Sequence, residues 1–363
     1  MASIEKIQIK NFKSHKDYSI KIDNKFKHIV IFGNNGVGKT NLLEFFSFFS
    51  NSKGLRGDTI EKIIPSSSFG LVDTQIDIEF SSNDNLQNVS FKLDEENKVI
   101  KKTFFLNHKK TSLSNIRKYI SFIWLSPYMD KIMYEGQSIK RSFIDKMISQ
   151  NDKYFNKTLL SYKKDISERL IILKNSKDEK WLDIIEKQIT ESFYFILQSR
   201  RKYAEKLNKI INNKLKNFRE VELRFLNNFL KKIDNKEHTV DQILEKFKVN
   251  RTIDEISKRT NFSINSDEII FYDVKNEINT DACSTGEQKS SLLTIILGNC
   301  WKLKEEDKEF ILLLDEATSH IDDENFEKLF NEVDKFGTQI WYTGTSRNLF
   351  QVIENKGFFI HLE

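Results

Sequence analysis

The chain has 363 residues, 39% hydrophobic and 31% charged, with 58 Lys and Arg against 53 Asp and Glu for a net charge of +5. That length exceeds what one compact core usually holds, so two domains or lobes are expected, and so small a basic excess permits nucleic-acid binding only through local clustering. Two cysteines without CxxC spacing, Cys283 and Cys300, argue against a disulfide framework or a structural zinc site, while a start without an apolar signal core and no apolar run near the ~20 residues that span a bilayer predict a soluble, cytoplasmic protein with no membrane partner.

The predicted elements begin with strands. Ile4, Ile7 and Ile9 mark the first, and His28 to Phe32 (HIVIF) is a short apolar run that stops at Gly33. Thr40 and the apolar residues after it open a helix, so this region reads strand, loop, helix. From Val72 to Phe80, Val72, Thr74, Ile76, Ile78 and Phe80 alternate with Asp73, Gln75, Asp77 and Glu79, the pattern of a half-buried strand. Val89 to Leu93 and Val99 to Leu106 continue an antiparallel sheet, with turns at Asn83 and Glu95.

From about Lys140 to Phe218 there is no Gly or Pro, and the spacing becomes helical. Trp181, Ile185, Ile189, Phe193, Ile196, Leu197, Leu207, Ile210 and Ile211 lie mostly three or four apart, as on long amphipathic helices. A break at Asn175 to Asp178 predicts a helical hairpin, an inserted arm. Strand character returns at Val221 to Phe225 and Ile269 to Val274. A last α/β unit follows: a helix from about Gly286, a strand from Phe310 to Leu314, a helix from about Asn325 and a strand from Gln339 to Thr343.

Three segments carry chemistry. Gly33-Asn34-Asn35-Gly36-Val37-Gly38-Lys39-Thr40 is GxxxxGK[ST] between a strand and a helix, continued by Asn41. Its glycines let backbone N–H groups turn towards phosphate oxygens, and the helix N-terminus adds partial positive charge. Lys39 would neutralise the β- and γ-phosphates of ATP, and Thr40 would coordinate Mg²⁺. The run ending in Asp315-Glu316 reads as a buried parallel strand with two acids at its carboxyl end, where α/β sheets place ligands. Asp315 would hold Mg²⁺ through water, and Glu316 would orient or deprotonate the attacking water. Ser284-Thr285-Gly286-Glu287-Gln288 opens the helix before that strand. On its own it reads equally well as a capping box, Ser284 and Glu287 having the spacing.

The order of these segments resembles the ABC-type ATPase heads, whose signature is SGGQ-like; Thr285 and Glu287 depart from the transporter form. In that family the signature of one subunit touches the γ-phosphate held by another. The resemblance therefore implies ATP bound by residues 33–41 together with Ser284, Gly286 and Gln288 of a partner copy, in an ATP-dependent homodimer. Ser319 to Asp322 stands where the family's D-loop belongs, with Asp322 matching its Asp. The strand carrying Thr343 and Thr345 occupies the place of a switch histidine, and with no histidine there a hydroxyl must serve or hydrolysis is slow.

Lys39 and Ser284 are 245 positions apart, wider than in transporters and narrower than in SMC proteins. This spacing, with Ile7 to Ser14, Asn35 to Glu44, Lys53 to Gly57, Trp124 to Asp130, Lys140 to Asp145 and the ending from Cys283 to Thr345, resembles the RecF family. The implied fold is an α/β ABC-type ATPase head, mixed sheets around a P-loop core, with an inserted α-helical arm lobe. Residues 1–130 and 219–363 would form the head and residues 131–218 the arm. The implied function is that of a weak ATPase acting as a switch in recombinational repair and replication restart. Such a protein forms an ATP-controlled clamp on duplex DNA near single-strand/double-strand junctions, with single-stranded DNA also a possible ligand, and assists mediators of the RecO and RecR type in loading recombinase. Where RecF proteins carry a Gly-Pro-His-Arg-like stretch, this chain has Asn261 to Ser266. Arg200, Arg201 and Lys202 on the arm are candidate phosphate contacts, and Arg56 is a candidate for facing nucleotide or a partner. Rival readings are a transporter ATPase subunit, against which the long arm argues; a nuclease with a similar head and a further metal-binding domain, for which the about forty residues after Asp322 leave no room; and an SMC-like cohesion protein, for which the arm is too short.

Overall fold

The computed structural model describes residues 2–49, 73–82, 85–96, 99–176, 178–226, 236–316 and 323–363. Among them the chain forms two compact units, Met1–Asp130 with Ile296–Glu363, and Lys131–Ile295. The D-loop expectation at Ser319 to Asp322, Arg56 with Lys53 to Gly57, Val72 and the turn at Asn83 lie outside the described residues.

The first unit begins with β1 (Ser3–Phe12), β2 (His15–Lys21), β3 (His28–Phe32), α1 (Lys39–Ser47), β4 (Thr74–Ser82), β5 (Asn85–Glu96), β6 (Val99–Leu106), β7 (Lys109–Thr111), α2 (Leu113–Ile116) and β8 (Ser121–Leu125). The second holds α3 (Lys131–Tyr134), α4 (Gln137–Asn151), α5 (Lys153–Asn175), α6 (Glu179–Lys214), β9 (Val221–Leu226), α7 (Lys236–Val249), α8 (Arg251–Ser257), β10 (Glu268–Asp273) and β11 (Ile278–Asn279), and the boundary falls within α9 (Thr285–Glu305). The first unit is completed by β12 (Phe310–Leu314), α10 (Asp323–Asp334), β13 (Ile340–Gly344) and β14 (Gly357–His361).

Among the described residues two sheets build the first unit: an antiparallel one in the order β2-β1-β4-β5-β6-β7, and a parallel one in the order β14-β3-β13-β12-β8. The alternation seen in β4 does what it predicts: Thr74, Ile76, Ile78 and Phe80 are buried, and Gln75, Asp77 and Glu79 are half-buried between them. The parallel strands are covered on both faces, so β12 and β13 are buried throughout. Residues of both sheets share one core, filled by Phe45 and Phe46 of α1 and by Phe48 and Phe49 just beyond it. Phe46 stacks on Phe122 at 5.0 Å and meets Trp341 edge-on at 5.2 Å.

One buried amide stitches the sheets together. Gln339 accepts Ile4 N–H at 2.9 Å and the Trp341 indole N–H at 3.0 Å, and donates to the Ile4 carbonyl at 3.1 Å. Gln339→Leu leaves those groups dry and unpartnered, at about 1–3 kcal/mol each. We expect it to lower the urea midpoint of the first unit's unfolding clearly; an unchanged midpoint would remove the stitch from the account.

In the second unit α5 and α6 pack as a helical hairpin. Asp152 caps α5 by accepting from the N–H groups of Tyr154 and Phe155, and Asp178 caps α6 by accepting from Trp181 N–H. With 36 residues α6 is about 54 Å long, and its buried positions, from Leu182 through Ile189, Phe193 and Ile196 to Ile211, recur at three and four. The return to the head drawn at residue 219 from motifs does not coincide with compact packing, which leaves the second unit only at Ile296. The cause is pairing: β9 runs antiparallel to β10 and packs on α6.

The stretch standing in place of Gly-Pro-His-Arg is a packing plug of this unit. The Asn261 side chain donates to Asp254 at 2.9 Å. Phe262 stacks on Phe193 at 5.0 Å, and Ile264 N–H donates to the Tyr162 hydroxyl at 3.1 Å.

Candidate functional site

At the carboxyl end of β3 the chain turns through Gly33 to Gly38 into α1. Gly36 and Gly38 have φ of 91° and 98°, a region that costs a residue with a Cβ about 1–2 kcal/mol. A Cβ on Gly38 would also lie 2.7 Å from the Ser14 hydroxyl, whereas one on Gly36 would meet nothing within 4 Å. The loop thus needs glycine for its backbone and leaves open space at Gly36. Lys39 folds back along this loop, its Nζ donating to the carbonyls of Gly33 at 2.7 Å and Asn34 at 2.8 Å. Burial lowers the Lys39 ammonium below its usual range, and the carboxylates of Glu316 and Asp315 oppose that shift.

Strands β3 and β12 are not neighbours; β13 lies between them. Their parallel registers nevertheless bring the P-loop and the acidic pair to the same end of the sheet. Thr40 Oγ1 donates to Asp315 Oδ1 at 3.1 Å, across 275 positions of sequence. Asp315 is 5% exposed, and its backbone N–H donates to Leu125 on β8 at 2.9 Å. Glu316 is exposed, in a left-handed conformation with φ of 51°. A hydroxyl and a carboxylate side by side at the foot of a glycine loop are hard oxygen donors of the kind Mg²⁺ takes.

Sequence reasoning missed the support behind this loop. The turn between β1 and β2 brings Ser14 to Asn41 Nδ2 at 3.0 Å and His15 Nε2 to the Gly38 carbonyl at 3.4 Å. Lys13 pairs with the fully buried Glu44 of α1 at 2.6 Å. Burial lowers the pKa of His15, with the Gly38 carbonyl pulling the other way, so the ring is neutral at pH 7. The run from Ile7 to Ser14 carried a resemblance, yet nothing in its spacing shows that it braces a loop some twenty residues on.

In the second unit, the Ser284 N–H and hydroxyl donate to Glu287 at 2.9 and 2.8 Å, and Glu287 N–H donates back to the hydroxyl at 3.4 Å. This is a capping box. Those bonds to Ser284 and the Arg219 guanidinium hold the Glu287 carboxyl down at about 2. Gln288 is 7% exposed and turns its amide onto the carbonyls of Asp281 at 3.2 Å and Cys283 at 3.1 Å. Gly286 is open on its Cα face.

The candidate DNA contacts divide. Arg200 is 1% exposed; its guanidinium donates to both oxygens of Asp145 at 2.9 Å, to Asp267 at 2.8 Å and to the Ile264 carbonyl at 2.9 Å. Burial opposes its charge, but the two carboxylates outweigh that and raise its pKa. It is a core cation of the lobe and is withdrawn as a phosphate contact: its charge made it a candidate, while its spacing sets it on the buried stripe and two acids distant in sequence supply its partners. Arg201 is half-buried and Lys202 exposed. No helix of the described residues is long and apolar enough to cross a membrane.

Residues 3–128 match the family described as RecF/RecN/SMC N terminal domain. The "DNA replication and repair protein RecF" of Rickettsia rickettsii (strain Sheila Smith) is 27% identical over 368 residues, covering 99% of each chain. Among solved structures, the recombination mediator protein RecF-ATP of the RecFOR pathway superposes with a TM-score of 0.83 at 24% identity, over 95% of this chain and 92% of that one. An Smc head domain from Pyrococcus furiosus gives 0.54 at 17%, over 97% and 92%. The parallel sheet with its P-loop and acidic strand end and the inserted helices thus go with a likeness to RecF proteins along almost the whole length and with the fold of the RecF and Smc head structures.

Proposed function

We propose that this chain is an ATP-dependent DNA-binding repair protein that works as its RecF relatives' name implies, in DNA replication and repair. The observation that carries the reading is the convergence of Lys39, Thr40, Asp315 and Glu316 at one end of the parallel sheet. Residues 33–41 cradle the phosphates, Lys39 sets a cation against the β- and γ-phosphates, and Thr40 with Asp315 would hold Mg²⁺. Bound there, the metal supplies positive charge that stabilises the phosphoryl oxygens. Glu316 accepts the proton of the attacking water on its carboxylate. The D-loop Asp322 stays assigned by resemblance. Functionally, residues 1–130 and 219–363 supply the nucleotide-handling parts and residues 131–218 the arm.

Ser284 and Gly286 complete the site of a second copy, so ATP drives a homodimer that clamps duplex DNA beside single-strand gaps. The role of Gln288 there is to hold the loop from Asp281 to Cys283 on which they stand. Hydrolysis is slow and resets the clamp, which helps mediators of the RecO and RecR type load recombinase. Arg201 and Lys202 remain candidate phosphate contacts.

Glu316→Gln is the test. It removes the base while keeping shape and nucleotide contacts, so turnover should fall about 10²–10⁴-fold with ATP still bound. Light scattering with ATP·Mg²⁺ should then show a dimer, more so with gapped duplex. A monomer under every condition, or normal turnover, sinks the composite clamp.

A further inference from the structure

Both acids at the end of β12 are held from the side by a single hydroxyl. Thr343 lies on β13 and is 0% exposed. Its Oγ1 accepts Glu316 N–H at 2.7 Å and donates to Asp315 Oδ1 at 2.7 Å. The directions are fixed by chemistry: an amide N–H can only donate, so the one hydroxyl proton goes to the carboxylate. Asp315 Oδ1 takes a second proton from Thr40, so a chain of hydroxyl, carboxylate and hydroxyl crosses from the P-loop helix to β13. Glu316 meanwhile sits at φ 51°, a conformation a residue with a Cβ leaves unless something holds it. Among the described residues, the bond to its own N–H is one such hold.

We propose that Thr343 is a positioning residue for ATP hydrolysis, orienting Asp315 for the metal and fixing the backbone of Glu316 so that its carboxylate meets the attacking water. This rests on the ATPase reading above. It also reassigns the hydroxyl expected to stand in for a switch histidine: Thr343 has no exposed surface with which to touch a phosphate, and its one hydroxyl proton is already given to Asp315. Thr345, two residues on, is exposed.

The test compares Thr343→Val, which keeps shape and loses the hydroxyl, with Thr343→Ser, which keeps the hydroxyl and loses a methyl. In the full chain Thr343→Val should lower kcat about 10–100-fold, the usual cost of removing a group that orients a metal ligand. KM for ATP should stay nearly unchanged and the Mg²⁺ concentration for half-maximal rate should rise. Independently of activity, hydrogen exchange of the Glu316 amide should accelerate in Thr343→Val, and Thr343→Ser should restore both readouts. Unchanged kcat and exchange in Thr343→Val would overturn the assignment while leaving the ATPase reading intact, and so would a Thr343→Ser variant as impaired as Thr343→Val. A wild-type chain that hydrolyses no more ATP than Lys39→Ala would overturn the ATPase reading and this role with it.

Discussion

Lys39→Ala is expected to weaken ATP binding by about 100-fold or more while the chain stays folded. The ammonium is the one basic side chain of the P-loop, and it stands over the carbonyls of Gly33 and Asn34. Two opposite charges 4 Å apart attract by about 4 kcal/mol at the effective dielectric of a protein surface. Losing most of that against a triphosphate is roughly two decades in affinity. The backbone N–H cradle and the helix N-terminus survive the substitution, so some binding of anions persists. Folding should hardly change, because Lys39 caps no helix and both its partners are carbonyls beside an open loop. Equilibrium titration with a fluorescent ATP analogue measures the first effect and thermal unfolding the second. Binding within threefold of wild type would mean that the P-loop is not where ATP goes.

Arg200→Ala should destabilise the helical unit by about 3–5 kcal/mol, because it leaves Asp145 and Asp267 facing each other without the cation that joins them. The chain loses more than one ion pair there: the Ile264 carbonyl loses its donor, and with it goes an anchor of the segment from Asn261 to Ser266. On the same helix, exposed Lys202→Ala should stay within about 0.5 kcal/mol of wild type, as surface changes do, and half-buried Arg201→Ala should cost less than Arg200→Ala. Chemical denaturation of the three variants separates the cases. If Arg200→Ala were as stable as Lys202→Ala yet bound DNA less tightly, the burial-based withdrawal of Arg200 would be wrong. A DNA defect in Arg200→Ala that tracks its unfolding would instead carry no information about contacts.

The contrast between neighbours on α6 shows what periodicity can read. Phe193, Ile196 and Leu197 lie on the buried stripe that their spacing predicts, since a helix presents every third and fourth residue to one side whatever it packs on. Arg200 continues the same stripe, and its charge hid that continuity. Short or irregular elements escaped for a related reason. Strands β2 and β14 and helices α7 and α8 are absent from the sequence reading: β2 and β14 are short strands that pair with β1 and β3, α8 is seven residues long, and α7 carries a legible stripe, Val240, Ile243, Leu244 and Phe247, that the reading passed over. Strand β8 (SFIWL) was noticed only as part of a resemblance; its strand identity comes from pairing with β12.

At the site, the sequence by itself determined the P-loop, because glycines at 33, 36 and 38 before Lys39-Thr40 serve one backbone geometry, and it singled out the acidic strand end, common as an acidic turn when alone, because it accompanies that loop. It offered the capping box at Ser284 as one of two equal readings, and the bonds that close it span three residues. What only the tertiary structure decided is which distant groups complete these pieces. The order β3-β13-β12 inserts a strand from the end of the chain between the two motif-bearing strands, and it is this insertion that delivers Thr343 to Asp315 and Glu316. Asp145 and Asp267 reach Arg200 in the same way. Local motifs are legible because their hydrogen bonds close within a few residues, whereas strand order and buried charge pairing are settled by which surfaces exclude water together, and no spacing along the chain records that.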